Sequence, residues 1–366
     1  MRVLQVGLSP NLGGIETCVM GYYRELINQN VQFDFISMYD SLAGEEEIRA
    51  LGGEVFFLSN VKRHPWRFAK ELEEVLAKGQ YDVVHVNMLS AANIVPLRVA
   101  HKMKVRKVIA HSHNSSSPGI LRNVLHYLNK RKIARYATDC FACSKVAAQW
   151  LFPVDIYHQN KVQLIHNAIS VERFLFDAKE QAQICRELNI EDTWVIGHVG
   201  RFEEQKNHTF LLDIFNEVVK REPNTVLLLI GEGELMQPAK EKVRALHLEE
   251  KVRFLGLRSD VDKLWKSIDV FLFPSLFEGL PMVAVEAQAA GVFMLLADTI
   301  STEVQVTDNL EFLSLNQTPS KWAEALCKRK AYKKSEANNQ QIKEAFAHAG
   351  YTIEAAAKVL LTLYNS

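Results

Sequence analysis

Nothing in the 366 residues approaches the run of about 18–20 apolar side chains that a membrane-spanning helix needs. The opening MRVLQVGLS lacks the apolar core and small-residue cleavage site of a secretory signal and reads as a first strand. An excess of one charge is missing too. Lys plus Arg number 43, Asp plus Glu number 43, and the pI is about 7.2, so no overall field draws the chain to nucleic acid or anionic lipid. Any such attraction has to be local. Cysteine is scarce: Cys18, Cys140, Cys143, Cys185 and Cys327 are scattered and odd in number, which argues for free thiols in a reducing compartment. The expected location is the cytoplasm or the cytoplasmic face of a membrane. Cys140 and Cys143 have CxxC spacing, but a zinc site needs a second pair and none exists; Phe141 and Ala142 between them suit a buried strand. GxGxxG and GK[ST] are also absent, so neither a dinucleotide fingerprint nor a P-loop is supported.

What is present is alternation. RVLQVGL, FDFISM, EVFFLS, YDVVHVN, KVIAHSHN and CFACS read as strands, separated by stretches with apolar residues at helical spacing such as ETCVMGYYRELINQ, PWRFAKELEEVLAKG and a helix over about 91–103. A second series begins at TWVIGHVG and continues through TVLLLIG, VRFLG, DVFLFPS and FMLLA, with helices over about 207–221 and 234–247 and at VDKLWKS. Continuous apolar strands between helices predict parallel sheets covered on both faces, and two series predict two doubly wound domains. At this length two cores are expected in any case. The polar interval at about 170–192 reads as a linker, and 336–366 as a helical tail.

Ligands of open parallel sheets sit beyond the C-terminal strand ends, and the motifs fall there. Gly13-Gly14, after the first strand, opens a helix whose N–H groups could approach a phosphate; an ordinary tight turn with Glu16 in the first helical turn explains the same residues. In GRFEEQKNH, Arg201 and Lys206 leave a strand end together and could converge on a diphosphate, although Glu203 and Glu204 also suit a solvated charged loop. FPSLFEGLPMVAVEAQAAG places Glu278 in a loop and Glu286 in the helix begun at Pro281, so the two carboxylates could flank one ligand as acceptors for vicinal hydroxyls. A glycosidase-like carboxylate pair is the rival, and it leaves Gly13, Gly14, Arg201 and Lys206 unexplained. His85, His111 and His113 end strands of the first series; no nearby carboxylate completes a metal set, and each reads equally as a cleft hydrogen-bonding group or a structural histidine. Two basic-aromatic patches, 61–68 and 122–135, suit either a solvated face or contact with anionic lipid.

With these pieces assembled, the chain resembles glycosyltransferase family 4, the retaining, nucleotide-sugar-dependent transferases of GT-B fold. GGIE, GRFEEQKN at 200–207 and EGLPMVAVE at 278–286 stand in family order, the last being the family's E-x7-E signature. SHNSSS and PSLFEGLP are similar to bacterial exopolysaccharide and capsule transferases. The resemblance implies two Rossmann-like domains facing across a cleft: an acceptor-binding domain at 1–168, a nucleotide-sugar-binding domain at 169–345, and a last helix at 346–366 that returns to the first. It implies that Arg201 and Lys206 hold the donor diphosphate, with Gly13 and Gly14 near it. Glu278 would bind sugar hydroxyls, backbone at Gly279 and Leu280 a phosphate, Glu286 the ribose, and Leu257 or Arg258 the base. His113 aligns with the histidine near the anomeric centre, although two histidines stand where the family often has one; Asn167-Ala168 replaces the usual Asn-Gly. A UDP-sugar donor, a glycan or lipid-linked glycan acceptor and no cofactor are implied. A metal-independent reaction fits the lack of a recognised DxD-like site, no DTD or EED cluster being present. A phosphorylase or epimerase of the same fold, or a non-catalytic sugar-nucleotide binding module, is the alternative.

Overall fold

The computed structural model describes residues 1–11, 13–115, 119–159 and 161–366. Part of SPNLGGIE (Leu12) and the serines at 116 and 117 of SHNSSS lie outside the described residues. The chain divides into two compact units, Met1–Ile169 with Gly350–Ser366, and Ser170–Ala349.

The first unit holds a seven-stranded sheet: β1 (Arg2–Val6), β2 (Gln32–Ser37), β3 (Val55–Phe57), β4 (Val83–Met88), β5 (Lys107–Ser112), β6 (Asp139–Ala142) and β7 (Val162–Leu164). All pairs are parallel and the order is 3-2-1-4-5-6-7. Period-two alternation sorts each strand between two cores. Val84 and Val86 face one core, with Phe68 and Leu72 of the helix Pro65–Gly79 and Leu97 of the helix Val95–Lys102. Val83 and Ile109 face the other, with Tyr23 of the helix Gly14–Leu26 and Leu360 of the C-terminal helix Ile353–Asn365. Both faces are therefore apolar, which is why these strands read as unbroken hydrophobic runs.

The second unit holds a six-stranded parallel sheet: β8 (Trp194–Val199), β9 (Thr225–Ile230), β10 (Val252–Gly256), β11 (Val270–Phe273), β12 (Phe293–Ala297) and β13 (Leu310–Leu313), in the order 10-9-8-11-12-13. In both sheets the order reverses beside the first strand, at β1/β4 and at β8/β11. These are the switch points at which such sheets bind ligands.

Three local readings differ from the structure. The interval 170–192 is no linker: it carries the helices Val171–Phe174 and Ala178–Glu187, the latter capped by Asp177, whose carboxylate accepts from the N–H groups of Lys179 and Glu180. The helical tail is two helices, Asn339–Ala349 and Ile353–Asn365, broken at Gly350 with φ +75°. The strands β7 and β13 have no counterpart among the expected elements.

Candidate active site

In the second unit the loops after β8 and β11 are knitted together by the GRFEEQKN residues. The Leu276 N–H donates to the Gln205 carbonyl at 2.8 Å, Gln205 Nε2 to the Phe277 carbonyl at 2.9 Å, and Asn207 Nδ2 to the Pro274 carbonyl at 3.1 Å. On this frame Lys206 Nζ meets Glu278 Oε1 at 2.7 Å while Gln205 Nε2 donates to Glu278 Oε2 at 3.1 Å. The Lys206 and Glu278 side chains are only 15% and 7% exposed. The ammonium also lies 4.7 Å from the centroid of the Phe273 ring. Arg201 is not brought to this pair: it is exposed and bonded to Glu203 at 2.9 Å.

Next to Glu278, the helix Met282–Ala289 starts at Pro281, its N-cap, and no side chain caps it. Gly279 and Leu280 lie immediately before that end, where backbone N–H groups and the helix dipole favour an anion. Glu286 lies within the helix, partly buried, and Trp265 Nε1 donates to its Oε2 at 3.3 Å. Burial pushes the Glu286 carboxyl up to about 7, against the lowering effects of Trp265 and Arg173. Leu257 is largely exposed, and Arg258 is held by Asp260 at 2.6 Å.

Asp260-Val261-Asp262 is itself a DxD, which corrects the sequence reading that no such tripeptide is recognised. Its carboxylates are engaged by arginines, Asp260 by Arg258 and Asp262 by Arg173 at 3.4 Å. No set of three or more His, Cys, Asp and Glu among the described residues is arranged to hold a metal. Cys140 and Cys143 are buried and not joined by a disulfide.

Sequence reasoning missed several groups here. Gln205 carried no motif signal beyond its place beside Lys206. His198 and His208 form a neutral floor close to Lys206: His198 Nδ1 donates to the Leu272 carbonyl at 2.9 Å, and His208 stacks on Phe202. Burial pulls His198 well below its ordinary value and His208 to about 4. Gly231, at φ +132°, would place a Cβ 2.2 Å from the Gly200 carbonyl oxygen, so only glycine lets the β9 loop cross beneath the Arg201 loop.

In the first unit, His113 follows β5. Asn87 Nδ2 donates to Gln5 Oε1 at 3.0 Å and to the Val6 carbonyl at 3.3 Å, so its Oδ1 faces His113 Nε2, 2.9 Å away. The amide orientation therefore requires the His113 proton on Nε2. His113 Nδ1 is buried, and a contact with the Asn167 side chain opposes the burial that pulls His113 to about 4. His111 and His85 continue the cluster: His85 Nε2 and His111 Nδ1 are 3.0 Å apart, and His85 Nδ1 is 2.7 Å from the Tyr364 hydroxyl of the last helix. Gly13 is the N-cap of Gly14–Leu26, and Glu16 accepts from the Ser9 and Gly13 N–H groups. The glutamate of GGIE thus closes the turn.

A concavity of about 970 Å³, lined by Cys185, Trp194, Asp269 and Lys330 among others, opens beside the N-terminal ends of β8 and β11. It contains none of the residues above. The strand-end cluster is where the charged groups converge, and it is the candidate site.

Two Rossmann-like units with an E-x7-E run and a partly buried lysine–glutamate pair at the switch point define a glycosyltransferase of GT-B type. The model of Glycosyltransferase Family 4 matches residues 12–173 and that of the group 1 glycosyl transferases residues 180–348. EpsF of Bacillus subtilis (strain 168), named as a glycosyltransferase, is 34% identical over 100% of this chain and 96% of its own. The UDP-Gal:alpha-D-GlcNAc-diphosphoundecaprenol alpha-1,3-galactosyltransferase of Escherichia coli is 24% identical over 80% of this chain and 78% of its own. The crystal structure of Anabaena HepE in complex with UDP-glucose superposes with a TM-score of 0.79 over 100% of both chains at 18% identity, a likeness of fold. The chain belongs to glycosyltransferase family 4 and is a GT-B transferase.

Proposed function

We propose that the protein transfers a sugar, with retention and without a metal, from a UDP-sugar to a glycan or lipid-linked glycan that is a precursor of a secreted polysaccharide. The observation that carries this reading is the Lys206–Glu278–Gln205 cluster beside the uncapped start of Met282–Ala289. A cation, amide donors and a carboxylate there suit a diphosphate next to a polyol. Lys206 holds the diphosphate, Arg201 joins it by turning from Glu203 to the ligand, and backbone at Gly279 and Leu280 receives its terminal phosphate. Glu278 accepts from sugar hydroxyls and Glu286 from the ribose, with Leu257 or Arg258 at the base. For His113 the role is near the anomeric centre, and for Gly13 and Gly14 near the diphosphate, as the family resemblance implies.

In the transfer step the bond from the anomeric carbon to the β-phosphate oxygen breaks and a bond from that carbon to the acceptor oxygen forms on the same face. The acceptor proton passes to the departing diphosphate. Negative charge grows on that leaving group, and preorganised cations and N–H donors stabilise it. The HepE complex holds UDP-glucose, and the Escherichia coli relative acts on a diphosphoundecaprenol-linked sugar. Both support the donor and acceptor classes. An acceptor of that kind sits in a bilayer, and a nucleotide-sugar donor is a cytoplasmic metabolite, so the reading assigns the enzyme to the cytoplasmic face.

A nucleotide-sugar panel screened by thermal shift, followed by transfer to lipid-linked acceptors in EDTA, tests the reading. The stabilising donor is expected to be transferred in EDTA, and Lys206→Ala and Glu278→Gln each to lower turnover by about 10²–10³. Undiminished turnover in both variants would overturn the site. Release of a sugar 1-phosphate in the presence of inorganic phosphate would indicate a phosphorylase.

A further inference from the structure

The helix Ile120–Lys130 is amphipathic the wrong way round. Its polar side faces the protein: His126, fully buried, accepts the Ala91 N–H at Nδ1 (3.0 Å) and donates from Nε2 to the Trp150 carbonyl (3.1 Å). Arg122 Nε donates to Ser90 Oγ at 3.2 Å and Lys130 Nζ to the Gln149 carbonyl at 2.7 Å. Its apolar side faces outward, with Ile120 87%, Leu121 73% and Leu128 62% exposed and Val124, Leu125 and Tyr127 also exposed. At 3.6 residues per turn these six side chains form one arc of about 160°, opposite His126 and Arg122. A surface helix packed for stability alone presents the reverse pattern.

The charge of the segment that carries the helix says what covers the arc. From Val83 through Thr138 there are ten Lys and Arg and no Asp or Glu, so the rest of this neutral chain carries a net charge of −10. Arg131, Lys132 and Arg135, directly after the helix, are exposed. Two copies of so basic a segment repel one another, whereas an anionic surface attracts it.

We propose that Ile120–Lys130 docks the enzyme on an anionic lipid bilayer, its apolar arc entering the headgroup boundary and Arg131, Lys132 and Arg135 facing the lipid phosphates. The reading above explains why a transferase with a lipid-linked acceptor would be held there, and the docking itself needs neither donor nor acceptor. It also resolves the 122–135 patch: Arg122 and Lys130 are tied to the protein, and the lipid-facing part is apolar.

Co-sedimentation of the full chain with phosphatidylcholine vesicles, with and without about 30% phosphatidylglycerol, tests it. Wild type should bind the anionic vesicles at least about tenfold more tightly and lose that margin at 1 M salt. The L121E/L128E variant, altered only at exposed positions, should keep its melting temperature and lose binding to both vesicles. R131Q/K132Q/R135Q should lose only the anionic preference. Wild type that stays in the supernatant, or an L121E/L128E variant that binds like wild type, overturns the proposal. So does a wild-type dimer that these substitutions dissociate, since the arc is then covered by a second copy. Vesicle binding without transfer from any donor would sink the transferase reading and leave the docking intact; transfer to a soluble acceptor without vesicle binding would do the opposite.

Discussion

Glu278 and Glu286 sit eight positions apart, yet their surroundings differ. Glu278 meets an ammonium at one oxygen and an amide at the other, whereas Glu286 meets a single indole N–H in a site that raises its carboxyl to about 7. If Glu286 grips the ribose as a carboxylate, the donor must select its ionised form. Below about pH 7 the dissociation constant of the UDP-sugar should then rise toward tenfold per pH unit and level off above it. Titration calorimetry at pH 5.5–8.5 checks the slope, and Glu286→Gln should flatten it. A slope unchanged in that variant would assign the proton elsewhere. Gln205 offers a second test. Gln205→Leu removes a donor to Glu278 and to the Phe277 carbonyl, so it should lower kcat by about tenfold with a smaller change in donor affinity. Wild-type kcat would show that Lys206 alone positions Glu278.

At the scale of elements, periodicity and strand-end position made most of the architecture legible. Runs such as Val83–Met88 are buried on both faces and cannot be hidden in a sequence, and the loops that follow them carried the charged motifs. What was not legible depends on contacts distant in the chain. Leu310–Leu313 is an edge strand of four partly buried residues with Glu311 interrupting its apolar run, so it lacks the continuous pattern of the buried strands. Polar 170–192 hides helices because Ala178–Glu187 buries only Ile184 and is set by its Asp177 cap. Arg201 and Lys206 look alike in sequence, but Lys206 lies over Phe273 against a partner 72 positions away, and Arg201 points into solvent. Gly231 is of the same kind, since the Gly200 carbonyl it must avoid is 31 positions earlier. Gly231→Ala should destabilise by more than about 2 kcal/mol, adding backbone strain to a main-chain clash, and should weaken donor binding by moving the Arg201 loop. Chemical denaturation with parallel donor titration measures both, and an unperturbed variant would show that the loops do not cross so closely.

For the whole molecule, buried histidines set how stability follows pH. Burial holds His113 and His208 at about 4, His85 at about 3, and His111 and His198 well below their ordinary value. In the unfolded chain each titrates near 6.5. Between these values the unfolded state binds protons that the folded state refuses, so stability is whole above about pH 6.5 and falls as the pH drops toward 4. Glu286 works the other way: its folded carboxyl takes up a proton near 7, its unfolded one near 4.3, so it adds stability as the pH falls through that window. Lys334, donating to the carbonyls of Trp265, Lys266 and Ile268, is lowered by burial to about 7, so its contribution grows as the pH rises from 7 toward 10.4. Above about 10 the buried hydroxyls of Tyr81 and Tyr364, both shifted upward, reverse the trend because the unfolded chain loses those protons first. Stability should therefore climb from pH 5 to pH 8 and peak between about 8 and 10. The climb belongs more to the first unit, whose His85, His111 and His113 act without an opposing Glu286. Calorimetry across pH 5–10 should show its transition moving furthest on acidification, whereas a chain more stable at pH 5.5 than at pH 8 would mean that these histidines are solvated and charged in the folded state.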